Sequence, residues 1–176
     1  MSAMLEITTL PLQPLTRAGF AAYGELIDTE GGTAVEINDG SARRFDALAQ
    51  VAFEAPATGV GISIFVAARR PLPMEVTTLE RHPLGAQAFM PLDGRPYLVV
   101  VADDQHDGPV APRAFFARGD QGICFGPGVW HHPLIALHDD SRFLVVDAIA
   151  DDGNLAIGRL TAARYRLPAV GPSGTL

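Results

Sequence analysis

Apolar residues along this chain fall into short runs broken by Gly, Pro, Asn and Asp, which is the pattern of strands punctuated by turns. Val60 to Ala67 is nearly all apolar and β-rich, as a strand covered on both faces would be, and Pro71-Leu72-Pro73 ends it. Tyr97 to Ala102 reads as a second buried strand. Residues 35–38 and 43–52 alternate around Asn38-Asp39-Gly40, a hairpin signal. Further strands are predicted at Val76–Leu79, Ala86–Met90, Ala114–Ala117, Gly122–Phe125, Trp130–Leu137 and Phe143–Ala148. Helices are expected only near the ends: Thr16 to Leu26, with Thr16 as N-cap, and Ala156 to Arg166. Asp103 to Pro112 reads as an acidic, turn-rich loop with His106 facing solvent, and the tail from Pro168 as frayed. About ten short strands with helices at the margins predict an all-β antiparallel sandwich or barrel.

Composition narrows the function. A chain of 176 residues is long enough for one domain, residues 1–176, with a sizeable core. A formal charge of −7 argues against nucleic acid or an anionic membrane as partner. All thirteen basic residues are Arg, as a GC-rich genome also produces; Schiff-base chemistry on lysine is excluded, and Arg is the only strong carboxylate binder. The one cysteine, Cys124, allows no intrachain disulfide and fits a reducing cytoplasm. Within Gly122-Ile123-Cys124-Phe125 it reads as a core residue rather than a nucleophile. The N-terminus lacks a basic region followed by an apolar core, and no apolar run approaches the ~20 residues of a membrane span, so a soluble, cytoplasmic protein is expected. There is no G-x-S-x-G elbow, phosphate-cradling glycine loop or zinc-type cysteine pair.

Polar chemistry concentrates in two stretches. In Glu80-Arg81-His82-Pro83-Leu84-Gly85-Ala86-Gln87, strand alternation sends Glu80 and His82 to one face, with Gln87 following among apolar residues. Such groups need a partner, because an unsatisfied buried polar group costs about 1–3 kcal/mol. A bound metal or a polar substrate would supply one; two solvent-facing side chains beside a turn would need none. In Gly126-Pro127-Gly128-Val129-Trp130-His131-His132, alternation lets only one of the two histidines, His131 or His132, join that face.

In order, Glu80-x-His82, Gln87, Gly94 and then Pro127-Gly128-x-x-His131 resemble the two-part metal motif of the cupin barrels. Glu80 stands where the first His would be and Gln87 where the Glu would be. The resemblance implies a divalent transition metal (Ni, Mn or Zn) on Glu80, His82, Gln87 and His131. More closely, "LERHPLGAQAFMPL" and "GVWHHPL", with "INDGSARRFDAL" and "PLTRAGFAAYGELID", resemble the signature segments of the ureidoglycolate lyases, over residues 14–147. That resemblance implies a cupin-type barrel or jelly-roll sandwich with short peripheral helices, usually a homodimer. It also implies an enzyme of allantoin and purine breakdown that splits ureidoglycolate into glyoxylate and urea.

Ureidoglycolate is a carbinolamine carrying a carboxylate, so its cleavage needs a proton acceptor for the hydroxyl, a donor for the urea nitrogen and a group holding the carboxylate. Glu80, His82 and Asp147 are the candidate proton-moving residues, although a strand-end Asp is as often structural. Arg44, with Asn38 and Gln87, is the candidate substrate binder through its two-pronged guanidinium, its alternative being a surface arginine. Val66, Gly126-Pro127 and Ala148-Ile149 stand where family members tend to carry basic residues. A divergent cupin that binds or converts another small polar metabolite is therefore the alternative reading.

Overall fold

The computed structural model describes residues 6–106 and 108–171. In chain order, β1 (Ile7–Thr9) and β2 (Leu12–Pro14) precede the single-turn helix α1 (Arg17–Phe20) and β3 (Gly24–Ile27). Next come β4 (Ala34–Ile37), β5 (Ala42–Phe45), β6 (Gly59–Ala67), β7 (Met74–Val76), β8 (Thr78–Arg81) and β9 (Gln87–Pro91). The long strands β10 (Tyr97–Gln105) and β11 (Gly108–Ala117) are followed by β12 (Gly122–Phe125), β13 (Trp130–His131) and β14 (Ile135–Ala136). The last are β15 (Ser141–Ile149), β16 (Ala156–Arg159) and β17 (Arg164–Leu167).

Two sheets carry the molecule, one in the order β16-β8-β13-β10-β11-β2 and the other β3-β12-β9-β15-β6. Pairing is mainly antiparallel; β1 with β17 and β2 with β11 run parallel. Between the sheets, alternate residues of β10 and β11 (Val99, Val101, Phe115) meet Phe89, Ile123, Phe143 and Val145. The other face of β10 (Leu98, Val100, Ala102) is buried too, against Trp130, Ile135 and Leu137, with Leu10 and with Val76 and Leu167 of the three-stranded sheet β1-β17-β7. Burial on both faces explains the unbroken apolar run at Tyr97–Ala102. The architecture is all-β, two packed sheets of mainly antiparallel strands. No helix among the described residues is long and apolar enough to cross a membrane.

Several expectations are corrected. Thr16 does cap a helix, its hydroxyl accepting from Gly19 N at 3.1 Å, but the helix ends at Phe20. Residues 24–27 instead pair with β12, and Gly24 is what permits it: at φ 154°, a Cβ there would lie 1.9 Å from the Cys124 carbonyl oxygen. Ala156–Arg166 is two strands rather than a helix; β16 is captured by the edge of β8, and a Cβ at Gly158 would strike Pro109 and Trp130. Tertiary pairing outweighs the helix propensity of Ala, Leu and Arg here. The strand expected at 43–52 stops at Phe45, and Ala49 and Val51 lie across Ala88 and Cys124 instead. Val60–Ala67 is not covered on both faces. β6 is a sheet edge, with Ile62 75% and Val66 62% exposed. Residues 103–105 and 108–112 are strand rather than loop, since β10 and β11 keep pairing past a bulge; His106 is exposed. The tail from Pro168 lies partly outside the described residues, which end at 171, although Val170 packs on the core.

Tyr23 ties the helical turn to β10, its hydroxyl donating to Asp103 Oδ1 at 2.8 Å. Burial first, then that carboxylate, pushes the phenol up to about 12. A folded pKa raised above the unfolded value means the folded state binds the extra proton. The stabilisation is complete below about pH 10 and lost as pH rises through about 12. Tyr23→Phe is expected to cost about 1 kcal/mol at neutral pH and to flatten the alkaline loss of stability in urea titrations. An unchanged alkaline slope would contradict this.

Candidate active site

Strand β8 delivers Glu80, and His82 follows it by two residues on the same face. Glu80 is paired on one side with His131 of β13 and on the other with Ile157 of β16. One ligand atom each from Glu80, His82 and His131 lies within 4.8 Å of the others. The two imidazole centroids are 5.3 Å apart, and His131 stacks on Phe125 at 4.1 Å.

Hydrogen bonds fix both rings. His82 Nδ1 lies 2.7 Å from the Asn154 carbonyl oxygen, and His131 Nδ1 lies 2.9 Å from that of Val129. A carbonyl only accepts, so Nδ1 carries the hydrogen in each ring, and in the neutral form the lone pair sits on Nε2. Both Nε2 atoms are buried without a hydrogen-bond partner. Burial pushes the His131 imidazole down to about 4, so it is neutral at pH 7. Its Nε2, 3.7 Å from Glu80 Oε1, is therefore no ion pair but a lone pair facing a carboxylate. Burial pushes the Glu80 carboxyl upward, with the His82 charge opposing it.

Gln87 opens β9 opposite Asp147 and donates from Nε2 to Asp147 Oδ2 at 3.1 Å. Because the carboxylate accepts, the amide cannot be turned round, and Gln87 Oε1 is left buried and unpartnered. Glu80 and Gln87 line a cleft of about 390 Å³ with Phe65, Val66, Ala67, Phe89, Pro133 and Leu134; none of these lining side chains is cationic. A void of about 20 Å³ against Glu80, Phe125 and His131 has room for one water.

The structure thus brings together Glu80, His82 and His131, and places Gln87 and Asp147 on the neighbouring wall. His132 is outside the three-residue cluster, its Nδ1 2.7 Å from the Pro133 carbonyl oxygen. Arg44 is on the β4–β5 hairpin, whose strands pair only with each other, and forms an exposed ion pair with Asp46 at 2.8 Å. Asn38 is in its turn, at φ 54°, with its carbonyl accepting from Ser41. No hydrogen bond or ion pair among the described residues joins either to the cluster. Asn154 went unread in the sequence, where Asp-Asp-Gly-Asn signals only a turn.

Unsatisfied imidazole nitrogens beside a half-buried carboxylate, with an unpartnered amide oxygen on a residue lining the same cleft as that carboxylate, define a site for a small polar molecule in an all-β fold. Residues 7–163 match the ureidoglycolate lyase family. A ureidoglycolate lyase of Brucella ovis is 47% identical over 93% of this chain and 96% of its own. One of Azotobacter vinelandii is 50% identical over 78% and 84%, and ureidoglycolate lyase 1 of Rhizobium meliloti 47% over 83% and 86%. This chain belongs to the ureidoglycolate lyase family.

Proposed function

We propose that this protein is a ureidoglycolate lyase, an enzyme that divides ureidoglycolate into glyoxylate and urea. The observation supporting it most is the pair of partnerless Nε2 atoms beside Glu80 in a chain of this family. Two ligands of one ion lie at most about 4.4 Å apart, so atoms within 4.8 Å need only small side-chain rotations to share one. The residues therefore fit a divalent transition metal (Ni, Mn or Zn), held by Glu80, His82 and His131, with Gln87, which shares the cleft with Glu80, as the further ligand. Such an ion, when bound, supplies a positive charge that lowers the pKa of a coordinated hydroxyl. Elemental analysis after mild purification tests for it, and a protein that takes up none of the three metals in excess refutes it.

The residues themselves account for the proton movements. Glu80, through a carboxylate oxygen left free of the ion, takes the proton from the substrate hydroxyl as the C=O of glyoxylate forms. The C–N bonding pair leaves with the urea nitrogen, and Glu80 returns the proton there. Asp147 holds Gln87 in place through its Nε2 and keeps the amide oxygen turned away from itself. Phe89, Pro133 and Leu134 limit water around the breaking bond. Urea and glyoxylate release from ureidoglycolate, corrected for spontaneous decay, is the test. Wild-type protein no faster than that decay, with or without metal, would overturn the reading. The absence of a cation among the cleft-lining side chains favours one competitor, a cupin acting on a different small polar metabolite.

We also infer a cytoplasmic homodimer. The apolar edge strand β6, with Val60, Ile62, Ile64 and Val66 exposed, is a surface that a second copy would cover. Light scattering that returned the mass of one chain would refute the dimer.

A further inference from the structure

We infer that Asn154 is a positioning residue: its side chain locks the turn after His82, and its own carbonyl thereby holds His82 as the Nδ1–H tautomer. Two contacts carry this. Asn154 Oδ1 accepts from Leu84 N at 2.9 Å, and Asn154 O accepts from His82 Nδ1 at 2.7 Å. One residue thus grips both ends of the His82-Pro83-Leu84 turn, with its backbone on the ring and its side chain on the main chain. Neighbouring Asp151, Asp152, Gly153 and Leu155 are exposed, whereas Asn154 is half-buried. Gly153, at φ 78°, makes the bend that presents both oxygens to the same turn.

The contrast between the two histidines makes the role specific. His131 is oriented by Val129, two residues away on its own segment. His82 has no local acceptor and depends on a loop 72 residues further along the chain. Without that acceptor, the neutral ring is free to move its hydrogen to Nε2, the nitrogen otherwise available to the cluster. A donor hydrogen would then stand where a lone pair is needed. The segment from β15 to β16 therefore supports the site at three points: Asp147 on Gln87, Asn154 on His82, and Ile157 opposite Glu80.

The consequence for turnover rests on the lyase reading; the tautomer does not. Asn154→Ala and Asn154→Asp would be made in the full chain with ¹⁵N-labelled histidine, stripped of metal by a chelator, and long-range ¹H–¹⁵N spectra recorded at pH 8. In Asn154→Ala, His82 is expected to shift from Nδ1–H towards Nε2–H. His131 should keep its tautomer, as an internal control for the fold. Turnover should drop about 10–100-fold, mainly in kcat. Asn154→Asp keeps an oxygen for Leu84 N–H and should recover both properties. His82 remaining Nδ1–H in the alanine variant, or an aspartate variant no better than alanine, would overturn the inference. A shifted tautomer in a protein whose wild type releases no urea would uphold the positioning role and refute the lyase reading alone.

Discussion

Glu80→Gln is expected to lower kcat/KM for ureidoglycolate by about 10²–10⁴-fold, with the thermal transition close to that of the wild type. Glutamine keeps the shape of the side chain and an oxygen facing His131, but it cannot accept the hydroxyl proton. The carboxyl is partly buried, and burial already disfavours its charged form, so neutralising it removes a desolvation cost rather than a stabilising pair. The 3.7 Å approach to a neutral imidazole offers little to lose. Steady-state kinetics beside a melting curve separates the two effects. Activity within a few-fold of wild type would remove Glu80 as proton acceptor, and a collapsed melting temperature would make it a structural residue.

The largest expected effect on stability is at Phe115. It is fully buried between the two sheets, edge-on to Phe20 with centroids 5.9 Å apart, and part of the cluster that includes Phe125 and Val145. Phe115→Ala removes a whole ring from a place where strands on both sides are held by their ladders and cannot collapse inward. A loss of about 3–5 kcal/mol is expected, read as a lower urea midpoint at unchanged slope. That is a large share of the 5–15 kcal/mol by which domains are stable. A loss below about 1 kcal/mol would mean that the sheets close over the gap far more readily than packed interiors do.

The parts of this molecule that were legible in the sequence depend on short-range geometry. Alternation alone sends Glu80 and His82 to one face, and the Asn38-Asp39-Gly40 turn follows from residues that tolerate positive φ. The Gly126-Pro127-Gly128 turn marks where His131 enters its strand. What was not legible depends on partners far along the chain. Nothing near Ala156–Arg166 reveals that β8 and β7 will offer their edges to it, and no local pattern shows that Gly24 must let its backbone approach Cys124. The apolar run Val60–Ala67 signals burial in the sequence because composition records hydrophobicity but not position in a sheet. Asn154 escaped for the same reason: its function is a contact, not a motif. Arg44 is the reverse case, a residue that a motif points to and whose place on an exposed hairpin beside Asp46 the motif does not reveal.

The Glu80–His131 pairing carries a consequence for how activity is gained and lost. β13 is two residues long, and it reaches β8 only because β10 holds it on the other side. Strands that lie far apart in the chain must close before the two side chains can meet, and such non-local closures come late and make folding slow. A sheet in which β13 has not yet closed against β8 lacks the cluster. Catalysis should therefore vanish together with the global cooperative transition rather than ahead of it, which would make turnover itself a probe of the fraction of molecules fully folded.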